Sequence, residues 1–410
     1  MPALRLFPPE LSASSAYGEK RVRRLVKGES TTRSDLTDQL LIARMQQRAV
    51  ELLRAEAEVW VIVDGSDLRK PQAQDMEALM KVRALRGQGL VPGYRTINAI
   101  GVARGKRGLL YHHLFSSKAA DFVSEPGEVQ RALQSVGGVL AASRAAVTYL
   151  LDRGFDDVAV WGTIWAQGHH LVCRVAHLDR LITQFKGDRE PETVALATAA
   201  GQMRELACAE AELDVRKRDQ RRAKRQKVTA HISACPVQVS YQAGQRSEQP
   251  GPRQQKDVWL VRVELEDTTQ APWWLLTDWP VDDAASALRV FQMYCQRWAV
   301  EDGFKFIKQC VGWEDVQMLS LAAVRLLVAL GWIAAGFLYE LGVTWDWAEV
   351  QLLARLGGWE KHKNRRPGKF VITRGLRRLL DVMSVEAILN DHIAAHGQLP
   401  PRIAALLGRT

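Results

Sequence analysis

Apolar and polar positions change period several times along the chain. Leu40, Leu41, Met45, Val50 and Leu53 recur at spacings of a helical face, which predicts a helix from about residue 37 to Glu58 with Thr37 or Asp35 as its N-cap. The unbroken apolar run Val59-Trp-Val-Ile-Val63 then stops at Asp64-Gly65-Ser66-Asp67, the mark of a buried strand ending in a polar tip. Thr96–Arg104 and Gly108–Ser116, joined by the turn Gly105-Lys-Arg, have the length of a hairpin and complete a three-stranded meander with the first run. A helix over Glu128–Ser143, a strand Val147–Leu151 running into Asp152-Arg153-Gly154-Phe155, a helix near Asp157–Gln167 and a strand His170–Val175 follow.

Strand, strand, strand, helix, strand, helix, strand is the order of a ribonuclease-H-like mixed five-stranded sheet, an α/β fold in which acids at the tips of the first and fourth strands lie side by side. Asp64 and Asp152 stand at those tips. The pattern then changes. Glu192–Lys227 is charged and reads as helical, and strands are expected near Val228–Ile232, Asp257–Glu266 and Pro272–Asp278, with a mobile Gly/Pro/Ser/Gln-rich loop over Gln242–Gln255. Beyond Val281 the chain reads as helical: an amphipathic stretch Val290–Gln309, a hydrophobic helix Leu319–Leu341, a basic stretch Lys361–Lys369 and two short helices. The expected organisation is an N-terminal helical region (1–58), a core in two parts (59–178 and 281–318), a partly β insertion subdomain (179–280) and a C-terminal helical region (319–410).

Composition narrows the class. With 410 residues, 47% hydrophobic and 25% charged, the chain is globular and long enough for two or three domains. Its net charge of +10 favours a polyanionic partner, nucleic acid before an anionic membrane. Five cysteines, widely spaced and without a CxxC pair, argue against zinc and disulfides. The longest uncharged apolar run, Leu326–Tyr339, suits a buried helix better than a membrane span, and the expected location is the cytosol, on the nucleoid.

The densest chemistry lies in Val290–Gln309. Tyr294, Arg297, Glu301 and Lys308 follow the spacing Tyr-x2-Arg-x3-Glu-x6-Lys, and offsets of 3, 7 and 14 return to nearly one side of a helix. One carboxylate among two cations and a phenol suits a metal ion held by the acid and phosphate oxygens held by the cations. Arg216-Lys-Arg-Asp-Gln-Arg-Arg-Ala-Lys-Arg-Gln-Lys227 is the densest basic run, and its self-repulsion is relieved by a polyanion. Arg216, Lys217, Arg218, Arg221, Arg222, Lys224, Arg225 and Lys227 are therefore candidate phosphate contacts. Lys20–Lys27 and Lys361–Lys369 are shorter runs of the same kind.

These motifs make the chain resemble the DDE transposases of the insertion-sequence-four family over about Val59–Leu341. The resemblance rests on Val63-Asp64-Gly-Ser-Asp67, Leu151-Asp152-Arg153-Gly154-Phe155, Trp273-Trp274-Leu-Leu-Thr277 and the Tyr294-Arg297-Glu301-Lys308 signature. It implies that Asp64, Asp152 and Glu301 hold one or two Mg²⁺ or Mn²⁺ ions, and that Tyr294, Arg297 and Lys308, with Arg153 as a weaker candidate, grip the phosphates beside the break. It further implies that Trp273 stacks on a flipped base. The partners it implies are double-stranded DNA, as inverted-repeat ends and target, and a second copy of the chain in a DNA-bound synaptic dimer.

The bland readings stay open at this point. Asp67 competes with Asp64, and Asp156 and Asp157 compete with Asp152 as capping residues. Glu301 could simply pair with Arg297 or Lys305. Of the adjacent Trp273 and Trp274, one faces the core. His169-His170 reads as structural.

Overall fold

The computed structural model describes residues 37–85, 89–185, 190–242, 251–315, 318–360 and 367–407. The basic stretch Lys20–Lys27, most of Lys361–Lys369 and most of the loop expected over Gln242–Gln255 lie outside them. The first helix, α1 (Asp38–Leu53), is capped by Thr37, whose Oγ1 accepts from the Leu40 N–H at 3.2 Å. It ends five residues before the expected Glu58, where the chain turns into the sheet.

The strands are β1 (Glu58–Arg69), β2 (Met80–Arg83), β3 (Leu90–Ala103), β4 (Lys106–Phe115), β5 (Ala146–Leu151) and β6 (His170–Arg174). Between them stand α2 (Glu125–Leu140), and then α3 (Val158–Ala166), which Asp157 caps. β4 pairs with β3, β3 with β1, β1 with β5 and β5 with β6, the first two antiparallel and the last two parallel. That order is consistent with the ribonuclease-H-like sheet expected from the sequence. The β3–β4 turn is tighter than Gly105-Lys-Arg: it is Arg104-Gly105, both at positive φ (44° and 83°), the conformation that joins twisted strands through two residues.

The insertion departs more from expectation. Its strands β7 (Leu181–Gln184), β8 (Glu192–Ala195), β9 (Arg204–Val215), β10 (Lys224–Gln242), β11 (Arg253–Leu265) and β12 (Trp273–Thr277) continue the core sheet, because β12 pairs with the edge strand β6. The helix expected over Glu192–Lys227 is replaced by β8, a 3-10 segment and the long β9–β10 hairpin. Composition suggested helix, since Ala, Glu, Lys and Arg are good helix formers. However, Ala207, Ala209, Ala211, Leu213 and Val215 alternate with exposed Cys208, Glu210, Glu212 and Asp214, and cross-strand pairing with β10 selects that period of two. The basic run therefore occupies a hairpin tip, not a helix.

The C-terminal part comprises α4 (Ala284–Cys295), α5 (Trp298–Phe306), α6 (Leu321–Thr344), α7 (Trp347–Leu356), α8 (Lys369–His396) and α9 (Pro401–Leu406). Among the described residues, α6 alone is long and apolar enough to cross a membrane, yet 72% of its most apolar window is buried inside the protein. After the basic stretch the chain forms one 28-residue helix and a short one rather than two short helices.

The two faces of the sheet carry separate cores. One, under α1–α3, takes Val59, Val61, Val63, Tyr149 and Leu151; the other, under α4–α6, takes Ile62, Leu68, Leu150, Trp273 and Tyr294. On β4, His112 is wedged between Trp313 and Trp332 (ring centroids 6.0 and 5.8 Å), and its Nδ1 lies 2.7 Å from Asn98 Oδ1. Burial holds the His112 pKa well below its ordinary value. It takes His113 down to about 4, helped by Arg325 and Arg131. Because both stay neutral when folded, their contribution to stability is complete above about pH 6.5 and is lost as pH falls toward 4. The thermal midpoint of His113→Gln is accordingly expected to depend less on pH between 6.5 and 4 than that of the wild type. Equal dependence in a pair of melting series would refute this.

Candidate active site

Strand alternation puts the acids on one face. Asp64 lies two residues beyond Ile62 and Asp152 two beyond Leu150, so both face the core under α4–α6. Parallel pairing of β1 with β5 ends at Val63↔Leu151, which makes the next residues, Asp64 and Asp152, neighbours. β1 itself does not end there; it runs on beside β3 to Arg69, with Asp64 opposite Asn98. What stops at Val63 is the pairing with β5, and the gap this opens exposes the two carboxylates. Asp64 Oδ1 accepts from the Gly65 N–H at 2.8 Å, and Asp152 Oδ1 from the Arg153 N–H at 2.6 Å.

The third acid arrives from the helices opposite. The stretch read as a single helix is α4 and α5 with a tighter turn between them. Three-residue hydrogen bonds, Arg297 N to Tyr294 O at 3.0 Å, Ala299 N to Gln296 O at 2.9 Å and Val300 N to Arg297 O at 3.3 Å, mark the junction. The α5 end widens into a π turn at Ile307–Val311. Tyr294, Arg297 and Glu301 still face the strand ends. Lys308 is displaced along β1, where its Nζ donates to the Asp67 carbonyl at 2.9 Å and pairs with Glu314 at 3.4 Å.

Arg297 organises the site. Its Nη2 lies 2.6 Å from Glu301 Oε1, and its Nη1 lies 3.7 Å from Asp64 Oδ2 and 3.9 Å from Asp152 Oδ2. One guanidinium, its side chain only 7% exposed, is thus shared by three carboxylates. Burial opposes its charge, but Tyr294, Asp152 and Glu301 outweigh that and raise its pKa. Of the three acids around Arg297, Asp64 is the most desolvated. Burial raises its pKa to about 7 even though Arg297 and the Gly65 N–H pull it down, and Asp152 and Glu301 add to the rise. Burial likewise raises Tyr294 to about 12 and lowers Lys308.

Among the described residues, no three His, Cys, Asp or Glu side chains are grouped closely enough to hold a metal ion; the three acids are drawn around the Arg297 side chain instead. Their donor set, hard carboxylate oxygens around a shared cation position with no Cys or His, nevertheless suits Mg²⁺ or Mn²⁺.

The competing acids have other tasks. Asp67 lies on the opposite face of β1 and pairs with Arg95 at 3.5 Å and Arg69 at 3.9 Å. Asp156 binds the backbone N–H groups of Ala176 and His177 and the Arg180 side chain, and Asp157 caps α3. His170 pairs with Asp278 at 2.8 Å, a structural contact. Glu301 makes the ion pair with Arg297 that the bland reading expected, and does so beside Asp64 and Asp152.

Trp273 is 1% exposed, packed on Phe291, Tyr294 and Trp298 with its indole N–H donating to Gln270. This placement corrects the expectation of a free stacking surface. The register that pairs Trp273 with Val263 turns it into the core and leaves the partly exposed Trp274 beneath Arg262. Arg153 is exposed next to Asp152.

Two features escaped sequence reasoning. Arg174 ends β6 over the Trp273 ring (5.7 Å) and couples electrostatically to Tyr294, Arg153 and Asp152; its position within the expected strand His170–Val175 was the available signal. A cleft of about 350 Å³ runs between β9 and α4, lined by Asp214, Arg225, Gln292, Gln296 and Trp298 among others. It connects the hairpin to the residue after Arg297. In the hairpin, Arg225 and Lys227 pair with Glu212 and Glu210 at 3.6 Å each, and Arg216, Arg218, Arg221, Arg222 and Lys224 are exposed.

Acids side by side where the pairing of two parallel strands of such a sheet stops, with a third carboxylate on a facing helix, are consistent with a ribonuclease-H-like DDE domain. The chain belongs to the DDE transposase family: the family model described as "Transposase DDE domain" matches residues 57–336. A search of curated proteins finds no match.

Proposed function

We propose that this chain is a cut-and-paste transposase of an insertion sequence with the Tyr-Arg-Glu-Lys signature, which binds inverted repeats, cleaves at the element ends and joins the 3′-ends to target DNA. The convergence of Asp64, Asp152 and Glu301 on Arg297 is the observation that carries this reading. Asp64, Asp152 and Glu301 would hold Mg²⁺ or Mn²⁺, which would activate the attacking water or 3′-hydroxyl and stabilise the leaving oxygen. Arg297, with Tyr294 at its base, passes from the carboxylates to a phosphate beside the break, and Arg174 and Arg153 supply further cations on the same side. Lys308 grips the backbone farther along β1.

The hairpin bearing Arg216, Lys217, Arg218, Arg221, Arg222, Lys224, Arg225 and Lys227 tracks the phosphates of the same duplex. Charge at that density contributes mainly salt-sensitive, sequence-independent affinity, so end recognition falls to other segments. The two ends are held by two copies of the chain on DNA, acting at the nucleoid.

The test is a supercoiled plasmid carrying the repeats that flank the gene. With Mg²⁺ the protein is expected to excise the segment and to join it to a second plasmid, and chelation should stop both. Cutting without joining would leave a nuclease, and binding without cutting in Mg²⁺ and Mn²⁺ would leave a DNA-binding descendant.

A further inference from the structure

Glu301 is the most loosely held of the three acids. Its side chain is 50% exposed, against 20% for Asp64 and 39% for Asp152, and among the described residues its ion-pair partner is Arg297, four residues earlier in the chain. The other two acids are fixed to paired strands, so the distance between them and Glu301 depends on how α5 lies. That helix has nine residues and is irregular at both ends: it starts from the tightened turn without a side-chain cap and runs into the π turn. Ala299, Val300, Phe304 and Phe306 bury its apolar side, but apolar contact is non-directional and leaves the rotation of a short helix weakly defined.

The directional contacts converge on the next residue. Asp302 stands about 100° round the helix from Glu301. Its Oδ2 lies 3.3 Å from Nη1 of Arg107, at the start of β4, and pairs with Nζ of Lys369, the first residue of α8. Lys369 Nζ also donates to the Asp302 carbonyl oxygen at 3.1 Å, so one ammonium grips both the backbone and the side chain. Arg107 and Lys369 both lie over the Tyr339 ring of α6, at 5.3 and 5.8 Å, and Lys369 lies 5.2 Å from the Phe306 ring as well. Gly303 brings α6 close, since a Cβ there would stand 3.3 Å from the Tyr339 hydroxyl. A lysine at a helix N-terminus opposes the helix dipole, and Gly368 before it offers no side-chain cap. α8 by itself gains nothing from this residue; the contact with Asp302 does.

We propose that Asp302, clasped by Arg107 and Lys369, is a positioning residue that sets the rotation of α5 and with it the place of Glu301 relative to Asp64 and Asp152. Tyr339 and Lys369 lie beyond the residues matched to the family, 57–336, so the site is completed by a part of the chain outside the matched domain. The last lysine of the basic stretch Lys361–Lys369 is thereby engaged within the protein. The inference rests on the reading of the three acids as metal ligands.

The test uses the sign of an effect. Lys369→Met and Arg107→Gln each remove a positive charge near the acids, so electrostatics alone would tighten a divalent cation. Positioning predicts the reverse, Mn²⁺ binding weaker by about tenfold, the size of loss that follows when groups orienting metal ligands are removed. Two readouts on the full chain should shift together: Mn²⁺ affinity without DNA, from the electron paramagnetic resonance of the free ion, and the Mn²⁺ concentration for half-maximal plasmid cleavage. The double variant should be little worse than either single one. Arg131→Gln, which removes the cation paired with buried Glu128 on the other face of the sheet, should leave both readouts unchanged. Unchanged or tighter Mn²⁺ binding in Lys369→Met and Arg107→Gln, or an equal loss in Arg131→Gln, would overturn the proposal. A wild type that binds Mn²⁺ without cutting removes the transposase reading alone, and the affinities still decide this one; a wild type that does neither removes both.

Discussion

Asp64→Asn, Asp152→Asn and Glu301→Gln should each abolish cleavage and at the same time leave the metal-free protein as stable as the wild type or more so. The loss of activity follows from the proposed role, since a bound metal supplies several kcal/mol of transition-state stabilisation, roughly a thousandfold or more in rate. The gain in stability follows from geometry alone. Three carboxylates share one guanidinium, Arg297, so the acids outnumber the cation and each substitution reduces that imbalance. The replacements keep the shape of the side chain, and Asn at 64 keeps an acceptor for the Gly65 N–H.

Asp64 should show the largest gain because it is the most desolvated of the three. Its folded-state pKa, raised to about 7, lies above that of an unfolded aspartate. The folded protein thus holds the proton more tightly, a contribution that is full below about pH 4 and lost as pH rises through 7. The advantage of Asp64→Asn over the wild type should accordingly widen from pH 5 to pH 8. Melting curves at four pH values alongside the plasmid assay would decide it: retained cleavage removes these residues from the chemistry, and a uniform fall in thermal midpoint means that the acids are structural.

The acids were legible because strand parity and chain order are written locally. Val63 and Leu151 each end an apolar run, and the residue after each must fall on the face opposite to them. What lay outside local pattern is what tertiary pairing decides. The Ala- and Glu-rich segment before Val215 carries both a period of two and a composition of helix formers, and pairing with β10 is what decides for the strand; the choice between Trp273 and Trp274 is likewise set by the register with β11. The continuation of the core sheet into the insertion depends on β12 meeting β6, a contact between residues about a hundred positions apart. The spacing of Tyr294, Arg297, Glu301 and Lys308 was readable, but the tightened turn at Gln296-Arg297 was not, and that turn carries Arg297 inward among the acids rather than along an exposed stripe.

That inward position gives the second large effect, in Arg297→Met. The substitution keeps an unbranched stem and removes the only cation that the three acids share in the geometry described. Breaking a buried ion pair from one side costs about 3–5 kcal/mol, and here about 2–3 is the better figure because Asp152 and Glu301 are 39% and 50% exposed and partly screened by water. The metal-free variant should therefore melt well below the wild type. Mn²⁺ should then restore it, because the ion takes over the charge that Arg297 supplied and need not displace it. In the wild type the ion must compete with the guanidinium, so without DNA its affinity should be at least about tenfold lower, a difference of about 1.4 kcal/mol. Thermal denaturation against a Mn²⁺ titration reads both effects at once, since an ion that binds only the folded state stabilises it by RT ln(1 + [Mn²⁺]/Kd). Equal Mn²⁺ stabilisation of the two proteins would mean that Arg297 and the metal do not share a place. A larger shift in the variant, with cleavage lost despite the tighter ion, would mean that Arg297 guards the carboxylates until a DNA phosphate draws it away.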